Sequence, residues 1–451
     1  MEHIEKLAPL GLFDARVPRY TSYPTAPIFS ATVGHAEQTT WTRALDPREP
    51  VSVYVHIPFC ERLCWFCACR TQGTSTLNPV ASYLKTLRAE LRQLAATLPA
   101  GVRMGKLHWG GGTPTILLPE MIVELAQMVK AVIPPADEFE FSVEIDPTMV
   151  DEAKITALAA EGMNRASIGI QDFSDEVQAA IGRPQPYEAT AACVAMLRKA
   201  GITSLNADLV YGLPYQDMAT ITRTVAQVLT LNPDRIALFG YAHVPHMAKR
   251  QKLINEDALP DDRMRYQLAE AAAAQFVAAG FETIGIDHFA KPDDSLAVAA
   301  RAGTLRRNFQ GYTTDTSPTL IGIGASSISR FPQGYVQNAS ATGAYIQRIE
   351  AGTLAGYRGH AMTEADQLHA RAIEMLMCDF SIDRAELRDV FGAAEATLAP
   401  LHDIAATRFK GYVTVTDACV AVRPEGKPLL RMIAQIYDAY AGAGAVYSKA
   451  S

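Results

Sequence analysis

Long apolar runs are missing from this 451-residue chain. No stretch approaches the roughly 18 uninterrupted apolar residues that cross a bilayer, and the opening Met1-Glu2-His3-Ile4-Glu5-Lys6 has no apolar core of signal-peptide length. The expected compartment is therefore the cytoplasm. An excess of positive charge is missing too. The formal net charge is -7, which argues against broad attraction to nucleic acid or anionic membranes but leaves room for a local basic pocket. Low-complexity tracts are absent, and a composition 49% hydrophobic and 20% charged is that of a globular chain. A disulfide framework is absent as well. Of seven cysteines, four crowd together at positions 60, 64, 67 and 69, too locally to staple distant elements, while Cys193, Cys378 and Cys419 are scattered. The cluster reads as a metal site and the scattered three as small core residues.

What is present is an alternation. Short apolar runs suited to strands recur near Val51–Ile57, Lys106–Trp109, Glu138–Ile145, Arg165–Ile170, Leu205–Tyr211, Arg235–Tyr241 and Thr283–Ile286. Between them lie stretches with apolar residues at helical spacing, at 80–98, 119–132, 151–161, 187–200, 218–231 and 260–279. This pattern predicts an α/β domain of parallel strands with helical crossovers. Six or so units fall short of a closed eightfold barrel, so a partial (β/α)6 barrel is expected, with its ligands at the carboxyl ends of the strands. The expected organisation is an N-terminal wrapping segment over 1–48, broken by Pro18, Pro24, Pro27 and Pro47, a catalytic domain over 49–358, and a small mostly helical domain with a winged hairpin over 359–451.

The decisive string is Tyr54-Val-His-Ile-Pro-Phe-Cys60-Glu-Arg-Leu-Cys64-Trp-Phe-Cys67-Ala-Cys69, which follows the first predicted strand. Three thiolates spaced C-x3-C-x2-C suit three irons of a cubane and leave the fourth iron without a protein ligand. A structural zinc ion held by Cys60, Cys64, Cys67 and Cys69 is the plain alternative. The spacing disfavours it, because zinc sites pair two separated knuckles. Cys69 is then a non-ligand beside the cluster, since a fourth thiolate would close the open site. Trp109-Gly-Gly-Gly-Thr113 ends the second predicted strand. Its glycines mark a tight turn or a place where backbone approaches a ligand closely. Glu144 and Asp208 sit in apolar strand contexts, where an unpaired carboxylate is costly. Cofactor hydroxyls, an ammonium group or an internal salt bridge would each satisfy them.

The cysteine loop resembles that of the radical S-adenosylmethionine enzymes, and the whole chain resembles the oxygen-independent coproporphyrinogen III oxidase family. Beyond the loop, three strings carry this likeness: Pro18-Arg-Tyr-Thr-Ser-Tyr-Pro-Thr-Ala26; Asp287-His-Phe-Ala-Lys-Pro-Asp-Asp294 with Arg307-Asn-Phe-Gln-Gly-Tyr-Thr-Thr314; and Gly322-Ile-Gly-Ala-Ser-Ser-Ile-Ser-Arg330 with Tyr335-Val-Gln-Asn338. The resemblance implies a [4Fe-4S] cluster on Cys60, Cys64 and Cys67, and two molecules of S-adenosylmethionine. Tyr54, Gly111, Glu144 and Ile328 match the positions around the cluster-bound molecule. Phe66, Gly112, Thr113, Gln171, Arg183, Asp208 and Ala242 match those around the second.

The implied substrate, coproporphyrinogen III, is a tetracarboxylate macrocycle that calls for arginines and aromatic faces. Arg19, Tyr20, Tyr23, Arg306 and Arg307 are candidates, with Cys69 near the reacting centre. The implied reaction turns two propionates into vinyl groups, giving protoporphyrinogen IX without dioxygen. A flavodoxin or ferredoxin as electron donor, a monomer, and no nucleic-acid partner complete the expectation. Relatives that share the cluster loop but traffic haem offer a second reading. They generally lack the cysteine matching Cys69 and the Arg-Tyr-Thr-Ser-Tyr string, both present here. A radical methyltransferase or haem-opening enzyme is a third.

Overall fold

The computed structural model describes residues 2–442 together with 447 and 449. They form two compact units. The first comprises Ser30–Pro260 and Ser317–Ala361, the second Met1–Phe29, Asp261–Thr316 and Met362–Ser451.

The first unit is built on six parallel strands: β1 (Val51–Ile57), β2 (Met104–Gly111), β3 (Pro135–Ile145), β4 (Arg165–Gln171), β5 (Ser204–Tyr211) and β6 (Arg235–Gly240). Each pairs in parallel with the next. Helices at Asn78–Ala95, Pro119–Val132, Glu152–Ala160, Tyr187–Lys199 and Met218–Thr230 lie between consecutive strands in the chain, the arrangement of a partial (β/α)6 barrel. Alternation within the strands decides which face becomes which. Val53, Val55, Leu107, Trp109, Phe141 and Val143 are buried among apolar neighbours. Tyr54, His108, Ser142 and Glu144 occupy the other parity and make one face polar.

Beside β1 the sheet continues through four strands the periodicity had not marked: β7 (Leu320–Ile323), β8 (Ile328–Phe331), β9 (Gly334–Asn338) and β10 (Gly356–Ala361). β7 runs parallel to β1, and β8 to β10 follow antiparallel. Glycine hid the last two, β9 and β10, from sequence reading. A Cβ on Gly334 would lie 2.0 Å from the His360 carbonyl oxygen, and one on Gly359 2.1 Å from that of Tyr335. The strands are therefore too close there for any side chain, and they lose the apolar signature that marks a strand.

In the second unit, the run expected as a strand near Thr283–Ile286 is not a parallel member. Glu282–Ile284 pairs antiparallel with His288–Ala290. Gly285 makes the reversal at φ +56, where a Cβ would run into the Tyr312 ring. Helices at Glu364–Asp379, Arg384–Phe391 and Ala399–Arg408 pack with a three-stranded sheet in the order Ser381–Asp383, Cys419–Val422, Val413–Val415. Asp383 caps the second of these helices, accepting hydrogen bonds from the N–H groups of Ala385 and Glu386. Leu7, Leu12 and Val17 share this unit's core with Leu376, Phe409, Leu430 and Ile433. No helix among the described residues is long and apolar enough to cross a membrane.

Candidate active site

The cysteine loop leaves the carboxyl end of β1, where a parallel α/β sheet places its ligands. Phe59–Cys60 pairs briefly with Gln72–Gly73 and closes the loop at its base. Cys60 and Cys64 are buried, Cys67 is partly so, and Cys69 is exposed. Among the described residues no three His, Cys, Asp or Glu side chains converge on one ion.

The thiols have cationic company. Arg183 Nη1 donates to Cys64 Sγ at 3.3 Å and Nη2 to the Gly169 carbonyl at 2.9 Å. The same guanidinium lies 3.2 Å from Asp146. Burial opposes charge on Arg183, but Asp146 and the sulfurs of Cys64 and Cys67 outweigh it. Cys67 is drawn down to about 6, first by the Cys69 thiol, with burial opposing and the Cys69 N–H and Arg250 assisting. The Cys69 N–H donates to Cys67 Sγ at 3.4 Å. Its own thiol is held well above the usual range by that neighbour. This donor set suits iron–sulfur ligation by Cys60, Cys64 and Cys67, with Cys69 alongside.

Glu144 stands at the end of β3 with 42% of its side chain accessible, so it lines a recess. It accepts from His108 Nε2 at 3.3 Å and from the Gly111 N–H at 3.1 Å. Burial pushes its carboxyl up, but His108, Gly111 and His56 together bring it below its ordinary value. Tyr54 stacks on His108 with ring centres 5.8 Å apart and meets His56 Nδ1 at 2.9 Å.

The glycines at 110–112 answer to this packing. A Cβ on Gly110 would strike the Glu144 carboxylate at 2.5 Å, one on Gly111 the His56 ring at 2.3 Å, and one on Gly112 the Phe59 carbonyl oxygen at 2.5 Å. The N–H groups of Gly112 and Thr113 are engaged by the carbonyls of Ile57 and Phe59. The triple glycine is thus required by the protein's own close approaches.

Further round the same face, Asp208 on β5 accepts from Ser167 Oγ at 2.7 Å and from Asn206 Nδ2 at 2.8 Å. Gln171 ends β4 in the left-handed region at φ 69. Phe66 and Ala242 are joined by a residue that sequence reading missed. Gln251, fully buried, donates through Nε2 to the Phe66 carbonyl at 2.7 Å and the Ala242 carbonyl at 3.0 Å, while its Oε1 accepts from the Val244 N–H at 2.5 Å. Ile328 opens β8, its backbone packed against Gly322.

A second missed group lies behind this face. The buried Glu90 accepts from the Gly324 N–H at 2.8 Å, Asn338 Nδ2 at 2.8 Å and Tyr345 Oη at 2.6 Å. Tyr83 Oη donates to the His56 carbonyl and accepts from the Ala325 N–H. Burial lifts the Glu90 carboxyl to about 7 against those three hydrogen bonds. Helical spacing puts Glu90 on the buried stripe of its helix with Tyr83, Leu87, Leu91 and Leu94, a signal the sequence reading passed over; its partners from 324–345 show why a carboxylate stands there.

The remaining sequence candidates belong to the second unit. Tyr20 and Tyr23 are each 4% exposed and form part of its core. Tyr20 Oη donates to Asp438 at 3.1 Å, and Tyr23 Oη accepts from the Ala439 N–H. Arg307 is buried over the Tyr312 ring at 4.3 Å and donates to the Arg19 carbonyl at 3.2 Å. Arg306 is half-buried, with Nη1 on the Leu305 carbonyl.

With this geometry in view, the comparisons discriminate. Residues 54–228 match the family model described as the radical SAM superfamily. A protein from Cereibacter sphaeroides named oxygen-independent coproporphyrinogen III oxidase is 63% identical over the whole of both chains. One of the same name from Paracoccus denitrificans is 52% identical, again over the whole of both. This chain belongs to the oxygen-independent coproporphyrinogen III oxidase family. The structure of coproporphyrinogen III oxidase from Escherichia coli, itself a radical SAM enzyme, matches with a TM-score of 0.90 at 36% identity, covering 94% of this chain and 100% of that one. A member of this family is a radical SAM oxidoreductase that works with a [4Fe-4S] cluster and S-adenosylmethionine.

Proposed function

We propose that this chain oxidatively decarboxylates two propionate side chains of coproporphyrinogen III, without dioxygen, to the vinyl groups of protoporphyrinogen IX. The observation that carries the reading is the cysteine loop at the end of β1, set beside Glu144 and Arg183, in a chain related over its full length to enzymes of that name. When bound on Cys60, Cys64 and Cys67, a [4Fe-4S] cluster with S-adenosylmethionine would supply the one-electron, hydrogen-abstracting chemistry that lets each propionate lose its carboxyl as CO2 and become a vinyl group, the second electron of each oxidation passing to an external electron acceptor.

The protein's share is placement. Cys60, Cys64 and Cys67 hold the cluster, and the Arg183 guanidinium offsets the negative charge of the thiolates. Tyr54, Gly111, Glu144 and Ile328 surround the cluster-bound cofactor, with the Glu144 carboxylate available to a ribose hydroxyl or an ammonium. Phe66, Gly112, Thr113, Gln171, Arg183, Asp208 and Ala242 surround a second molecule, where Gln251 sets the distance between Phe66 and Ala242. Cys69 stands beside the cluster as a non-ligand near the substrate. Arg19 and Arg306 serve the carboxylates of the macrocycle, while Tyr20, Tyr23 and Arg307 support them from the packed segment. The enzyme works as a cytoplasmic monomer fed by a flavodoxin or ferredoxin.

The test is an anaerobic assay of the reconstituted protein with coproporphyrinogen III, S-adenosylmethionine, a reductant and an electron acceptor, following 5′-deoxyadenosine and tetrapyrroles together by mass spectrometry. The expected result is two 5′-deoxyadenosine and two CO2 per protoporphyrinogen IX. Haem transfer without a vinyl product, or carbon added to the macrocycle, overturns the reading.

A further inference from the structure

A row of side chains crosses the polar face of the first unit at the level of Tyr54. Tyr54 is paired with His108 on one side and Gly322 on the other. Gly322 abuts Ile328, Ile328 is opposite Gln337, and Gln337 is opposite Arg358. Directly opposed residues project from the same face of a sheet, so Arg358 shares a face with Tyr54 and Ile328, two strands beyond the latter. Its orientation is set by Gln337. That buried amide accepts from Arg358 Nε at 2.8 Å and donates to the Ser326 carbonyl at 3.1 Å, which leaves the two outer nitrogens of the guanidinium fork free of hydrogen bonds to the described residues.

A second guanidinium is close by. Arg70 follows Cys69 in the cluster loop, and its backbone is pinned where His56 Nε2 meets its carbonyl at 3.1 Å. Its side chain is exposed. Arg70 lies near enough for its charge to bear on Arg358, and burial together with that like charge holds the Arg358 guanidinium below its ordinary value. Neither arginine meets a carboxylate among the described residues. In a chain of net charge -7, two neighbouring unneutralised guanidinium groups on the catalytic face are an unfavourable arrangement until an anion joins them. A planar carboxylate suits such a fork best.

We propose that Arg70 and Arg358 form a carboxylate-binding pair that takes one propionate of the tetrapyrrole and so sets which side chain reaches the radical. This rests on the function proposed above. It adds a substrate anchor on the barrel itself, built from one residue of the cluster loop and one of the sheet edge. Because two guanidinium groups share one anion, either loss alone removes most of the anchoring, and the effects of both are not additive.

The test uses the full-length holoenzyme and the variants Arg70→Gln, Arg358→Gln, Arg358→Lys and the double Arg70→Gln/Arg358→Gln. Lys85→Gln is the control for an equal change in net charge at an exposed helical site. All are first matched for iron content and melting temperature. Each Gln variant is expected to raise KM for coproporphyrinogen III about 10–100-fold, and by more than it lowers kcat. The double variant should be little worse than the poorer single, and Arg358→Lys should recover part of the loss because it keeps the charge but not the fork. Binding of the stable oxidised macrocycle, coproporphyrin III, followed by fluorescence, should weaken in parallel. An unchanged KM in both single variants, or the same change in Lys85→Gln, overturns the pair. If the wild-type protein itself makes no vinyl product, the failure belongs to the proposed function; if it does and the variants match it, the failure belongs to the pair alone.

Discussion

The two units use the same kinds of residue to opposite ends. In the barrel unit, arginine and carboxylate keep chemical capacity in hand: Glu144 holds 42% of its side chain accessible, and the outer nitrogens of Arg358 make no hydrogen bond to the described residues. In the second unit, Tyr20, Tyr23 and Arg307 belong to strings just as characteristic of the family, yet all three are packed away: the tyrosine hydroxyls meet Asp438 and the Ala439 N–H, and Arg307 gives Nη2 to the Arg19 carbonyl while its buried Nε and Nη1 make no hydrogen bond to the described residues. A family signature therefore marks a residue that matters without saying whether it matters to packing or to chemistry. Burial and partners make that distinction.

The sharpest way to separate the two roles is at the cluster. Cys64→Ser removes one of the three proposed cluster ligands and the partner of Arg183, and is expected to lower 5′-deoxyadenosine formation by more than about 1000-fold while the iron-free protein melts nearly unchanged. Iron analysis and anaerobic absorption spectra check the first part, thermal unfolding the second. The counterpart is Tyr20→Ala. Truncating a buried aromatic of the second unit should cost about 3–5 kcal/mol of stability, read as a lowered denaturant midpoint, with cluster content retained. If KM for the tetrapyrrole rises at an unchanged midpoint, Tyr20 touches substrate and the contrast between the units fails.

The smallest expected effect concerns Glu90, which like Asp146 and Asp172 is a buried carboxylate of the barrel unit. Its folded-state value of about 7 lies above the ordinary 4.5, so between these limits the folded protein holds a proton that the unfolded chain has lost. Stability contributed by this group therefore falls as pH rises from about 4.5 to about 7 and is level above that. Glu90→Gln should remove this slope, gaining roughly 1–3 kcal/mol on the wild type between pH 5 and pH 8. Denaturant titrations at several pH values read it, and an undiminished slope in the variant assigns the dependence to another group.

Much of the barrel was legible in the sequence. The helix at Pro119–Val132 and the strand at Val51–Ile57 fall where apolar spacing places them, because a barrel helix must bury one stripe and a parallel strand is buried on one face throughout. The edge strands β7 to β10 were not legible. In β9 and β10, Gly334 and Gly359 are demanded by strand contact and erase the apolar pattern. Gln251 was silent for a different reason: its partners, Phe66 and Ala242, lie on other elements, and no local rule reports such a meeting. Glu90 stands on the apolar stripe of its helix, which marks it as buried, but its partners Gly324 and Tyr345 come from far away in sequence.

By itself the order of residues determined the chemistry: thiols at C-x3-C-x2-C after a strand, and the alternation that makes a parallel sheet. Both follow from local covalent spacing and from the periods of helix and strand. Folding alone decided which charged and aromatic groups were consumed and which were left available. Whether Arg307 is sealed over Tyr312 or Arg358 is left with outer nitrogens that make no hydrogen bond to the described residues depends on desolvation and on neighbours that come together from distant parts of the chain.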